Sequence, residues 1–258
     1  MTELDPLIAE ARLEHNLRRA LPTLAVAAAV VFCHVLYFAT PGGDPGSVQA
    51  RWEGLLEVAH EGLFVALVAL TLLVWHAGRA RPAPWRAVVP PAIALVATAG
   101  GAVLAGIDQL VTAAITPYLI ASFGVPLLVR LPIWQAAAIQ LAGMALLAQG
   151  ILAHQVAAAG RISALVNGLS VSALGVALGA TLTRAFERAE GARLVIARQG
   201  KELAELRGLL RICAYCGRIH EEGKWERLDH YVARHTAAEL SHGMCEDCFA
   251  KELAKLKP

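Results

Sequence analysis

Residues 87–129 read AVVPPAIALVATAGGAVLAGIDQLVTAAITPYLIASFGVPLLV, with Asp108 as the one charged side chain. Continuing to Thr183 adds only Arg130 and Arg161. A water-soluble domain carries about 25% charged residues. A stretch this poor in charge has no outer face to show to water, so it belongs in a bilayer. The chain as a whole agrees, with 258 residues, 57% of them hydrophobic and 17% charged.

A helix needs about 20 mostly apolar residues to cross the hydrocarbon core. Working outward from residues 87–129, six such runs emerge: Leu21–Ala39, Gly54–Trp75, Val88–Ile107, Leu110–Val129, Ile133–Ala153 and Ser163–Thr183. Only Asp108-Gln109 separates the third from the fourth. Pro117 and Pro126 would kink the fourth, and a re-entrant or interfacial segment is the alternative there. The fold class expected is an all-α membrane protein. Residues 1–20 form a cytoplasmic amphipathic segment, 21–183 a six-helix bundle, 184–210 a coiled-coil connector and 211–258 a small zinc-stapled module.

Lys and Arg mark the cytoplasmic side of membrane helices. Arg12, Arg18 and Arg19 precede the first run, Arg79, Arg81 and Arg86 follow the second, and Arg184 and Arg188 follow the sixth. The other side holds only Arg51 and Arg161. Both termini are then cytoplasmic, which needs an even number of crossings. The first twenty residues lack the short apolar core of a cleavable signal, so the first helix is expected to stay as an anchor.

Ionisable groups at membrane depth are costly, and each is a candidate site. His34, Glu57, His60, Glu61, Asp108 and His154 all fall toward the non-cytoplasmic ends of their helices. Glu57 and His60, three residues apart, share one helical face, a spacing used by carboxylate metal sites in bundles. The cluster is a candidate for metal or proton binding. Side chains at helix ends also simply meet headgroups and water. Haem ligation by His34 and His60 has no motif behind it.

After the sixth run, Leu182, Ala189, Ile196, Leu203 and Leu210 recur every seventh residue. Ala185, Ala192, Gln199 and Leu206 fill the offset positions. This heptad seam predicts a parallel coiled coil and a homodimer; a lone amphipathic helix is the alternative. Gly191 and Gly200 weaken it.

The tail holds Cys213-x-x-Cys216 and Cys245-x-x-Cys248. Each short turn aims two sulfurs at one ion, and two such pairs complete a closed tetrahedral site for structural zinc. Four thiolates saturate the metal, so His235 and His242 are expected to support the site, with His242, three residues before Cys245, the candidate for a substitute or supporting ligand. Trp225, Leu228, Tyr231 and Val232 recur at helical spacing and predict a small helical insert between the pairs. Residues 211–258 carry eight Lys or Arg against eight Asp or Glu. A phosphate-binding face shows a basic excess, so no nucleic-acid partner is expected.

These positions resemble a cysteine-rich C-terminal module of bacterial signalling proteins, found beside receiver, PAS and GAF domains. The matching residues are Ile212, Cys213, Cys216, Gly223, Trp225, Tyr231, His235, Ser241, His242, Gly243, Cys245 and Cys248. This chain departs from the pattern at Gly217, at Glu221-Glu222 and at Lys224, which bears on the partner surface and not on the ligands. The membrane half is similar to the six-helix MASE-type sensor regions of cyclases and kinases, through its layout, through IDQLVTAAITPYL and through Asn167 in a last helix leading to a coiled coil. The resemblance implies a sensory role in the bacterial inner membrane.

No phosphate loop, nucleophile elbow, kinase ATP site or cyclase signature is present, so the chain does not read as an enzyme. The expected function is a membrane sensor or adaptor that passes a signal to an unidentified cytoplasmic signalling protein. The runner-up is a transport or metal-handling protein whose tail senses cytosolic zinc.

Overall fold

In hydrocarbon, a chain must satisfy its own backbone N–H and C=O groups, and a helix does so within one segment. The computed structural model follows that rule. It describes residues 4–40, 44, 46–79, 83–154, 157–207, 210–221, 223–236, 241 and 243–255, without the side chains of 202–207. The chain divides into two units, Met1–Leu194 and Val195–Pro258.

The first unit is built from helices α1 (Asp5–Phe38), α2 (Val48–Arg79), α3 (Val89–Asp108), α4 (Thr116–Leu128), α5 (Ile133–His154) and the larger part of α6 (Ala158–Arg207). A 3-10 turn, Pro84–Val88, leads into α3. Five of these helices are long and apolar enough to cross a membrane, and α4 is shorter, with 13 residues. Outward-facing Val26, Val65, Leu72, Leu141 and Leu169 are all exposed. An apolar exterior on this scale suits lipid and not water. The fold is that of a helical membrane protein.

Several boundaries differ from the sequence expectation. Helix α1 begins at Asp5 rather than Leu21 and passes through Pro22 without ending. Helix α2 starts six residues before Gly54, and α6 starts before Ser163. Most informative is α4, since Leu110–Val129 was expected to be one helix. Residues 110–115 instead form a turn, closed where the Val111 and Thr112 N–H groups donate to the Asp108 carbonyl at 3.0 and 2.8 Å. The Gln109 side chain donates to the Ala105 and Ala114 carbonyls and braces it. Pro117 explains the restart at Thr116. Proline lacks the N–H that a continuing helix would need and is favoured in a helix's first turn, where that N–H has no partner.

Close packing sets the bundle. Gly106 on α3 faces Gly150 on α5, and a Cβ on Gly150 would sit 2.5 Å from the Gly106 Cα. The two backbones touch there, as small residues allow in membranes. A core of Leu17, Leu24, Leu67, Leu70, Val74 and Ile93 joins α1, α2 and α3. Polar ties gather at the end of the bundle where α1 begins. Arg86, 4% exposed, pairs with Glu10 and Glu14. Arg12 pairs with Glu187. The Asn16 side chain clamps Arg130, donating to its carbonyl at 2.9 Å and accepting its N–H at 2.8 Å.

The second unit is not all helical. Strands β1 (Arg211–Ile212), β2 (Ile219–Glu221) and β3 (Lys224–Glu226) form an antiparallel sheet in that order, followed by α7 (Leu228–His235) and α8 (Glu246–Lys255). Trp225, expected on a helix with Leu228, Tyr231 and Val232, lies on β3 opposite His220, with ring centroids 4.8 Å apart. The missed signal is Gly223, at φ +82° in the loop between β2 and β3. That conformation suits glycine and turns the chain into a hairpin.

Candidate functional site

The first unit forms an open cavity of about 700 Å³ lined by α1, α2, α3 and α4. Most of its wall is aliphatic, and its polar end is built from His34, Trp52, His60 and Asp108. Neighbouring helices present these groups because α1 and α2 run side by side. The His34 and His60 rings meet edge to face at 5.0 Å. Phe38, one turn beyond His34, stacks on His60 at 5.5 Å and meets Trp52 edge-on at 5.9 Å. The Trp52 indole N–H donates to Asp108 Oδ1 at 3.1 Å, tying α2 to α3. His60 is 6% exposed, and its Nδ1 lies 2.7 Å from the Leu56 carbonyl oxygen.

Of the six membrane residues singled out in the sequence, three line this cavity: His34, His60 and Asp108. Glu57, Glu61 and His154 are outside its lining, and Glu61 is exposed. Among the described residues, no three His, Cys, Asp or Glu side chains come within reach of one metal ion. Trp52 and Phe38 are the members that the sequence reading missed. Both were findable by spacing, since Phe38 is four residues from His34 and Trp52 is eight before His60, on the same helical faces.

Helix α4 has two working faces. Thr116, Pro117, Ile120, Ala121, Gly124 and Leu128 line the cavity. The buried Tyr118 and Ser122 face the other way. The Tyr118 hydroxyl is 2.7 Å from Ser172 Oγ on α6. Ser122 Oγ donates to Gln140 Oε1 on α5 at 3.2 Å. A Cβ on Gly175 of α6 would come within 2.7 Å of the Ser122 carbonyl. Cavity and α6 therefore share one short helix between them.

In the second unit, Cys213 and Cys216 sit on a tight turn between β1 and β2. The Gly217 N–H donates to the Cys213 carbonyl at 2.9 Å, and the Cys213 N–H donates to the Arg218 carbonyl at 2.8 Å. Gly217 takes φ +67°, which lets the turn close. Cys245 immediately precedes α8, and Cys248 lies in its first turn. The Cys216 and Tyr215 N–H groups hold the Cys213 thiol below its ordinary value, and the Cys248 N–H does the same for Cys245. Backbone donors and helix N-termini favour thiolate, the form that binds metal. Among the described residues, the two cysteine pairs are not gathered into one group that could hold a metal ion. Ile219 is the one fully buried hydrophobic side chain among the described residues of this unit.

His235 holds α7 to the hairpin. Its Nε2 lies 3.1 Å from Glu221 Oε1 and its ring stacks on Tyr231 at 4.2 Å. His242 lies outside the described residues. Comparisons with protein-family models, with curated proteins and with solved structures find no match for this chain.

Proposed function

We propose that this chain is a sensor or adaptor of the bacterial inner membrane. Its membrane half receives a signal, and its C-terminal module passes that signal to a cytoplasmic signalling protein. The observation that carries the reading is α4, which lines the cavity with one face and bonds to α6 through Tyr118 and Ser172 with the other. Whatever fills the cavity presses on α4, and α4 is packed on the helix whose chain continues toward the cysteines. Sliding or rotation of a packed helix is an established switching mode.

The finer parts of the proposal follow. The segment from Asp108 through α4 to Arg130 makes the fourth of six crossings, with both termini cytoplasmic. Its support is the pinning of Arg130 by Asn16, at the opposite end of the bundle from Asp108. Residues 184–210 pair as a coiled coil in a homodimer. Cys213, Cys216, Cys245 and Cys248 hold a structural zinc whose role is to fold a protein-docking surface.

The test uses the intact protein in lipid nanodiscs. Gly124 lines the cavity, and a Cβ there meets nothing within 4 Å, so the side chain of Gly124→Leu starts out in open space at the cavity wall. We expect it to change hydrogen-exchange protection across residues 184–207. Unchanged protection there in a folded variant would sink the coupling. Metal analysis of the reduced protein, with Cys213→Ser as control, tests the module; absence of stoichiometric zinc would refute that part.

A further inference from the structure

The first turns of α1 run alongside α6 just past the end of that helix's apolar stretch. A Cβ on Gly191 would meet the Ile8 side chain at 3.6 Å, Arg12 pairs with Glu187, and the His15 and Phe186 rings lie 4.8 Å apart. The two helices are antiparallel neighbours here. Between them lies an open cleft of about 460 Å³ whose charged lining is Asp5, Arg12, Arg184, Glu187 and Arg188. Three guanidiniums against two carboxylates leave a surplus of one positive charge.

The surplus sits on α6. Arg184 and Arg188 are four residues apart and share one face of the helix. Among the described residues, no ion pair or side-chain hydrogen bond engages either of them. Other arginines at this end of the bundle have partners. Arg86 pairs with Glu14, Arg130 donates to the Pro126 and Leu127 carbonyls, and Arg193 pairs with Glu190. Like charges at a four-residue spacing repel each other, and an anion between them relieves that repulsion. Arg12 brings a third guanidinium from the facing helix. Glu187 holds it in place, and its five N–H groups leave donors to spare.

Depth decides what the anion is. The apolar run of α6 ends at Thr183. Arg184 is then at the hydrocarbon boundary, and Arg188 lies about 6 Å beyond it along the helix. The headgroup layer is about 5–7 Å deep on each side of a bilayer. The cleft therefore opens where lipid phosphates lie. A guanidinium fork matches phosphate oxygens, and basic pockets between membrane helices suit anionic headgroups.

We propose that this cleft binds the phosphate of a phospholipid of net negative charge, held by Arg184 and Arg188 from α6 and by Arg12 from α1. A zwitterionic lipid brings its own cation and leaves the surplus charge uncompensated. The bound lipid bridges α1 and α6 at the root of the connector. The site is separate from the cavity of His34, His60 and Asp108, and the sensor reading does not depend on it.

Delipidated full-length protein in neutral detergent is titrated at constant ionic strength with dioleoyl phosphatidylglycerol, and separately with dioleoyl phosphatidylcholine, and bound lipid is counted by native mass spectrometry. One saturable phosphatidylglycerol site is expected, at least about tenfold tighter than phosphatidylcholine, which corresponds to about 1.4 kcal/mol. Replacing both cations, Arg184→Gln with Arg188→Gln, should weaken phosphatidylglycerol binding by a similar factor. Arg193→Gln, on the same helix but outside the cleft, should leave it unchanged. Each variant is checked for an unchanged unfolding midpoint, and Arg188→Gln alone is used if the double variant does not fold. Equal affinity for the two lipids, unaltered binding in the folded cleft variants, or an equal loss in Arg193→Gln would each overturn the proposal. Displacement of the lipid by inorganic phosphate at comparable concentration would assign the cleft to a free anion and overturn it as well.

Discussion

Tyr118 is fully buried, yet its hydroxyl carries modest energy. Its partner Ser172 Oγ also donates to the Gly168 carbonyl at 2.8 Å, so removing the phenol oxygen does not orphan Ser172. Hydrogen bonds between membrane helices average about 0.6 kcal/mol, because the unfolded reference state also finds partners. Tyr118→Phe should therefore cost about 0.6 kcal/mol in reversible unfolding, while loosening the contact between α4 and α6. A loss several times larger would mean that the whole Ser122, Gln140 and Tyr118 network acts as a unit. At the other end of the chain, Asp229 sits in the first turn of α7, where an acidic group suits the helix N-terminus. The Arg227 side chain, helped by the His230 N–H, holds the Asp229 carboxyl below its ordinary value. Its contribution is present above the unfolded carboxylate's value and disappears as pH falls through the lowered one. Asp229→Asn should thus lower the protection of α7 amides at neutral pH, and the difference from the parent should vanish in acid. A difference that persists with Asp229 protonated would assign it to packing instead.

Among the elements, the contact between α3 and α5 gives a directional test. A Cβ on Gly150 would lie 2.5 Å from the Gly106 Cα, whereas one on Gly106 would lie 3.1 Å from the Gly150 Cα. Backbone cannot step aside as a flexible side chain can. Gly150→Ala should cost about 1–3 kcal/mol, the range for overpacking, and Gly106→Ala clearly less. Reversible unfolding in mild detergent measures both, and an equal or inverted order would mean that the helices adjust symmetrically. The same elements show what the sequence made legible. Long apolar runs announced α1, α2, α3, α5 and α6, because burial in lipid imposes one requirement on every residue of a span. Helix α4 was harder, because its length is decided by Pro117 and by a turn that hydrogen bonds to Asp108, both local effects inside an apolar run. The sheet of the second unit was hidden for a related reason. Its strands are two or three residues long, too short for an alternating pattern, so Trp225 fell by chance into helical register with Leu228 and Tyr231. The cysteine turns were legible throughout, since their spacing alone defines them.

At the scale of the molecule, the cavity was half visible. His34, His60 and Asp108 announced themselves as polar residues in apolar runs, but Trp52 and Phe38 looked like ordinary membrane aromatics until their helices were paired. The connector poses the remaining question, because the seam residue Ile196 stands uncovered in the single chain. Ile196, on the seam, is 68% exposed, and its neighbour Val195 is 41% exposed. Large exposed aliphatics among Arg193, Arg198 and Lys201 are what a coiled-coil seam looks like before its partner is present. The partner proposed is a second copy, since identical seams meet residue against residue in a parallel pair. Ile196→Cys should then form an intermolecular disulfide on mild oxidation in nanodiscs, and Arg198→Cys, off the seam, should do so far more slowly. Ile196→Glu should shift the protein toward monomer by placing like charges across the seam. If both cysteine variants cross-link alike, or if Ile196→Glu leaves the oligomeric state unchanged, the helix is not paired through this face, and any signal from α4 must travel within one chain.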